Sequence, residues 1–116
     1  MDNARREALL QAGIDIDSTL ERFMNNEALM ERFWQKFPND KSYAELMDAI
    51  AADDKAKAIT SIHTFKGVCG TLGFTDMYKT TVQIESLMRS GQWDEAMNAI
   101  PMLEKLYRHV CSVIGD

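Results

Sequence analysis

The sequence predicts an all-α fold, an up-down four-helix bundle with additional short helices at its N-terminal end. Three features carry this expectation. Apolar residues recur at steps of three and four along nearly the whole chain. Period-two alternation is missing and β-branched residues are scattered, so no segment reads as a strand. Only two prolines and six glycines punctuate the sequence, and they mark most of the expected helix boundaries.

The elements follow in order. A short helix spans about residues 4–12 and ends near Gly13. Ser18-Thr19-Leu20-Glu21 has the capping-box pattern, in which the hydroxyl accepts from an orphan amide and the carboxylate reaches back. It predicts a short helix carrying Leu20, Phe23 and Met24. After a break near Asn25-Asn26, the next helix carries Leu29, Met30, Phe33, Trp34 and Phe37, and Pro38-Asn39-Asp40 ends it. Ser42-Tyr43-Ala44-Glu45 repeats the capping-box pattern and opens a helix with Tyr43, Leu46, Met47 and Ile50 on one face. Three longer helices follow: about Asp53 to Thr71, Thr75 or Asp76 to about Ser90, and Gln92 to about Ile114. Ser90-Gly91 suits a helix C-terminus, where glycine enters the left-handed region without penalty. In the last helix Trp93, Ala96, Met97, Ile100, Leu103, Tyr107, Val110 and Ile114 keep the bundle spacing. Pro101 lies within that pattern and removes a backbone donor, so a kink or a local split is expected.

Bulk properties exclude several classes. The 116 residues suit one domain over 1–116. With 46% hydrophobic residues and a net charge of only −5, disorder is not expected. The acidic balance and the lack of a Lys/Arg cluster argue against nucleic acid. Cys69 and Cys111 lie in apolar helical stretches and read as buried free thiols. Leu9-Leu10 is too short an apolar core for a signal peptide, and no window approaches the roughly 18 apolar residues of a membrane span. The expected location is the cytoplasm. The chain begins with Met1 and ends shortly after the last helix, so it reads as free-standing.

The chemistry concentrates in Ile62-His63-Thr64-Phe65-Lys66-Gly67-Val68-Cys69-Gly70-Thr71-Leu72-Gly73. On a helix, Ala58, Ile62, Phe65, Cys69 and Leu72 form one stripe, which must face the core. His63, Gly67 and Gly70 form a second, centred roughly 150° away, which faces solvent, with Lys66 on the flank between them. Glycine within a helix costs about 1 kcal/mol relative to alanine. Two glycines on an exposed face thus sacrifice stability without a packing gain, and they clear a shallow notch beside the imidazole. An exposed imidazole titrates near about 6.5, so much of it is neutral at pH 7 and can attack phosphorus. Lys66, one turn away, supplies positive charge for a phosphoryl group. The chain has no phosphate-cradling loop and no obvious magnesium-binding carboxylate cluster, so it does not read as a complete enzyme. No metal site is expected either: His63 with Cys69, and His109 with Cys111, lack zinc-ligand spacing. His109 reads as an ordinary residue of the last helix.

His63-Thr64-Phe65-Lys66-Gly67, with Gly70, Leu72 and Gly73 after it, resembles the signature of histidine phosphotransfer (HPt) domains: a His, two residues, Lys-Gly and a downstream Leu-Gly. Gly13-Ile14-Asp15 followed by Leu20-Glu21-Arg22 looks like the segment that opens many such domains. Ile84-Glu85 looks like the Leu-Glu after the signature, and Ser90-Gly91 with a final amphipathic helix completes the pattern, over about residues 13–114. The resemblance implies a phosphocarrier that shuttles a phosphoryl group between aspartates of receiver domains in a two-component phosphorelay. Its implied partners are response-regulator receivers or a hybrid histidine kinase. The chain itself needs no cofactor, and Mg²⁺ is expected in the partner receiver. By position His63 is the acceptor, Lys66 the charge partner, and Gly67, Gly70 and Gly73 give close access.

Many members place a Gln or other polar residue one helix over, to orient the imidazole; the matching position is Glu85. On the helix wheel Glu85 groups with Tyr78 and Val82, off the core stripe of Met77, Ile84 and Met88, while Gln83 points to the other flank. At most one of Glu85 and Gln83 can touch His63. Glu85 is favoured; it would accept from an imidazole N–H, but it would also repel a phosphate, and a solvated surface position is the alternative. The dimerisation domain of a histidine kinase would put an acidic residue after the histidine, where this chain has Thr64. A non-phosphorylated helical module that sequesters a receiver or kinase through the same notch is the alternative of a different class; the presence of both His63 and Lys66 argues against it. A monomer is expected, since the notch must stay open.

Overall fold

Aspartate and asparagine side chains start five of the helices. Asp2, Asp15, Asn26, Asp40 and Asp54 each sit just before a helix and accept a backbone N–H from its first turn, satisfying a donor that has no partner within the helix. The computed structural model describes residues 1–115. Among them are seven α-helices: α1 (Asn3–Gln11), α2 (Ile16–Arg22), α3 (Glu27–Lys36), α4 (Lys41–Ala51), α5 (Lys55–Leu72), α6 (Thr75–Arg89) and α7 (Trp93–Ile114). A 3₁₀ turn at Phe37–Asn39, with Pro38 in its first turn, joins α3 to α4.

Two of these caps correct the sequence reading. Ser18 and Ser42 do not cap helices. The backbone N–H of Ser18 is taken by Asp15 at 3.0 Å and that of Ser42 by Asp40 at 2.9 Å. Each helix therefore begins before the serine that the capping-box pattern picked out. The Ser42 hydroxyl itself donates to Asp40. A carboxylate is the stronger, charge-assisted acceptor, and it already occupies the extended position that precedes each helix.

Helices α4 to α7 form the bundle: α4 packs on α5, α5 on α6, and α6 on α7. The links between them are two or three residues long, so consecutive helices run antiparallel. Stacked Tyr43 and Tyr107 rings, 3.6 Å apart and 3° from parallel, join α4 to α7. Phe65 reaches this seam from α5 and Phe37 from the 3₁₀ turn. Helix α7 runs unbroken through Pro101, so the expected split does not occur; in a continuous helix the carbonyl four residues earlier simply lacks its usual donor.

The N-terminal helices are tied to the turn between α5 and α6. Asp15 N–H donates to the Gly73 carbonyl at 2.8 Å, Asp76 N–H to that of Gly13 at 3.3 Å, and the Trp34 indole to that of Leu72 at 2.9 Å. Ala58, Ile62, Phe65, Cys69 and Leu72 are all buried, as the helical spacing requires. Cys69 and Cys111 are free thiols, and burial pushes both up from the ordinary thiol range. Cys111 is only half-buried, which corrects its expected burial. Among the described residues no helix is long and apolar enough to cross a membrane.

Candidate functional site

Helix α5 carries His63 on the side opposite its core stripe, and its side chain is 62% exposed. The ring is nevertheless held at one nitrogen. Glu85, from α6, places Oε2 3.1 Å from His63 Nδ1. The same Oε2 accepts from Arg89 Nε at 2.7 Å, and Oε1 lies 2.8 Å from Lys66 Nζ as an ion pair. Glu85 thus sits at the centre of a polar cluster in which one carboxylate meets an imidazole, an ammonium and a guanidinium.

Glu85 is buried, with 7% of its side chain exposed, although it lies off the core stripe of α6. The wheel alone left open a solvated position. The packing of α5 against α6 removes it, because the flank of α6 that carries Glu85 faces the flank of α5 that carries His63 and Lys66. Burial pushes the carboxyl pKa up, but contacts from Lys66, Arg89 and His63, with the charge of Lys66, outweigh it and hold the group at about 2. Near neutral pH Glu85 is therefore ionised and can only accept. A proton must then reside on His63 Nδ1, and in the neutral ring the lone pair is on Nε2.

The glycines divide. At Gly67 an added Cβ would meet nothing within 4 Å, so the surface beside His63 is open. Gly70 is half-buried, and a Cβ there would touch the Tyr78 ring at 3.9 Å. Gly73 does not join them. It ends α5 with φ +79°, and a Cβ would fall 1.8 Å from Thr19 Oγ1. Its lack of a side chain serves the helix end and the packing of α2, which corrects its expected place in the notch. Gln83 is exposed and lines a separate groove with Thr75, Tyr78, Lys79 and Val82, so of the two polar candidates on α6 only Glu85 meets the imidazole.

Gly67 is shared by two clefts. One, of about 550 Å³, is largely apolar and runs between α3 and α5, with Phe33, Phe37, Val68 and Leu72 in its walls. The other, of about 440 Å³, is lined by Arg22, Lys66, Gly70 and Tyr78. Arg22 caps the end of α5 by donating to the carbonyls of Gly70 and Thr71. Among the described residues no group of three or more His, Cys, Asp or Glu is placed to hold a metal ion.

Sequence reasoning missed Arg89. A signal was present: Arg89 follows Glu85 by four residues on one helix, the order that favours an ion pair. The family model described as Hpt domain matches residues 28–112. No solved structure matches the chain.

Proposed function

Because the chain belongs to the Hpt domain family, whose general role is histidine phosphotransfer with receiver or kinase partners, we propose that it carries a phosphoryl group on His63 Nε2 between receiver-domain aspartates. One observation carries the reading: the imidazole is anchored at Nδ1 by an ionised carboxylate, while the ring stands exposed beside the open surface at Gly67. The anchored tautomer presents a lone pair at the nitrogen a partner can reach.

The step balances with the partner's aspartyl phosphate as the phosphoryl donor. The Nε2 lone pair attacks phosphorus of an aspartyl phosphate on the partner. A P–N bond forms, the P–O bond breaks, and the aspartate departs as a carboxylate. The Nδ1 proton stays in its bond to Glu85, so the product ring is cationic and the carboxylate beside it offsets that charge. Lys66, a quarter exposed and one helical turn from His63, acts as the charge partner of the phosphoryl group. The reverse attack, by an aspartate of a second receiver, releases the ring. The receiver supplies Mg²⁺ and the activation of the aspartate. This makes the chain a carrier whose rate is set by its partner. The ties between the N-terminal helices and the α5–α6 turn support reading residues 1–116 as one domain.

Incubation with a phosphorylated cognate receiver, or with its kinase and ATP, should place acid-labile phosphate on the chain, and His63→Gln should abolish it. Labelling that survives in His63→Gln, or none in the unaltered protein with its true partner, would overturn the proposal. A partner that binds His63→Ala as tightly and never transfers phosphate would point to sequestration instead.

A further inference from the structure

Glu85 poses a difficulty for a phosphocarrier. A carboxylate bonded to an imidazole favours the protonated ring, and a protonated ring has no lone pair with which to attack phosphorus. The tautomer is secured at the risk of the nucleophile. The cluster contains a group that answers this and has no part in the phosphoryl step proposed for His63.

Arg89 Nε donates to Glu85 Oε2 at 2.7 Å, and His63 Nδ1 bonds that same oxygen at 3.1 Å. The guanidinium therefore holds the closer place on the shared atom. The two nitrogens lie within about 6 Å of each other, the range over which one positive charge disfavours a second. Arginine stays charged at any working pH, so its contribution does not titrate away. A cation in the last turn of a helix is favoured by the helix dipole alone, but that effect does not require its Nε to share an oxygen with the imidazole of another helix.

We propose that Arg89 is a positioning residue for His63: by binding Glu85 Oε2 it offsets the carboxylate charge, so that Glu85 fixes the Nδ1–H tautomer while the ring stays neutral. Lys66 acts in the same sense from α5, through Oε1. The other charged groups around the notch stand further along it. Arg22, at the end of α2, is tied to the Gly70 and Thr71 carbonyls, and Lys36 of α3 with Asp40 lines the cleft shared by Thr64 and Gly67. None of these bonds Glu85. The proposal rests on His63 being the acceptor, but its physical content, the charge state of the ring, is measurable without phosphate.

The test is titration of the His63 ring by nitrogen-detected NMR in the free protein, for the unaltered chain, Arg89→Ala, Arg89→Lys, Glu85→Gln and the Arg89→Ala/Glu85→Gln pair. Removing Arg89 should raise the midpoint by roughly half a pH unit or more, with the Nδ1–H tautomer retained. Lysine at the position should restore most of the original value. In the Glu85→Gln background the effect of Arg89→Ala should be clearly smaller, because no carboxylate then holds the guanidinium beside the ring. The pH profile of phosphoryl uptake by Arg89→Ala should move to higher pH by the same interval as its ring midpoint. An unchanged midpoint in Arg89→Ala, or an equally large shift with and without Glu85, overturns the proposal. If the unaltered protein never takes up phosphate, the phosphocarrier reading fails, while the titration still decides the role of Arg89.

Discussion

The two sides of α5 are built from the same eighteen residues and by opposite rules. One side is a stripe of Ala58, Ile62, Phe65, Cys69 and Leu72, with no side chain more than marginally exposed. The other carries His63 and Gly67, where one side chain stands in solvent and the next position has none. On the first side every position gains by packing, and stability increases with each methylene removed from water. On the second, the glycine gives up helix stability, and among the described residues nothing touches the vacated space. The difference bears on the proposed function: the opening at Gly67 gains nothing from its own molecule, and it is there that we propose a partner docks. The polar bridge between the two sides is the Glu85 cluster, where burial and charge meet.

The sharpest way to break this contrast is to cut into the buried side. Phe65 is fully buried and touches Phe37, Tyr43 and Tyr107 across the α4–α7 seam. Phe65→Ala should cost about 3–5 kcal/mol of unfolding free energy, read by urea denaturation. The defect should appear in stability. Phosphoryl uptake per folded molecule should fall much less, because the anchor of the imidazole lies on α6 and not in the seam. A uptake loss matching that of His63→Gln would show that the two sides are not separable.

The buried side was legible in the sequence because it obeys a single periodicity. Steps of three and four pick out Phe65 and Cys69 without reference to any other helix, and the same holds for Met77, Ile84 and Met88 on α6. His63 and Gly67 were legible as a breach of that pattern. Glu85 was only half legible. Its angle on the wheel excludes the core, but whether it meets solvent or α5 depends on how two helices pack, which no single-helix pattern contains. Arg89 escaped for the same reason, since its meaning comes from sharing an oxygen with a residue on α5. Gly73 misled in the other direction: it stands in the motif, but a left-handed φ and the nearness of Thr19 explain it. The serine caps failed because a local pattern could not see a better acceptor just upstream at Asp15 and Asp40.

A second test bears on the cluster that joins the two sides. Glu85 is held at about 2 in the folded protein, against an ordinary carboxyl value of 4.5. A depressed folded value means that the unfolded chain takes up the proton first. The cluster thus stabilises the fold fully above about pH 4.5, and the contribution is lost as pH falls from there towards 2. A single site changes stability by at most about 1.4 kcal/mol per pH unit. Glu85→Gln should therefore flatten the acid limb of stability against pH in that window, measured by denaturation at a series of pH values and compared with the unaltered chain. Parallel limbs would mean that the charges around Glu85 add nothing to the fold, and that the cluster serves only the imidazole.

The smallest expected change in stability is also the one of opposite sign. Gly67→Ala places a methyl where nothing lies within 4 Å and removes the conformational freedom of a helical glycine, so it should stabilise the protein by up to about 1 kcal/mol. On the buried side of α5 no substitution offers so simple a gain. If the exposed side is shaped for a partner, the same methyl should slow transfer from a phosphorylated receiver by about tenfold, which corresponds to about 1.4 kcal/mol at the transition state. The loss should be larger for a protein donor than for a small one such as phosphoramidate, because only the former needs the surface beside the ring. Denaturation and transfer kinetics on the one variant give both numbers. A protein that becomes more stable and transfers just as fast would show that the opening at Gly67 has no partner to admit, and the contrast between the two sides of α5 would then lose its functional meaning.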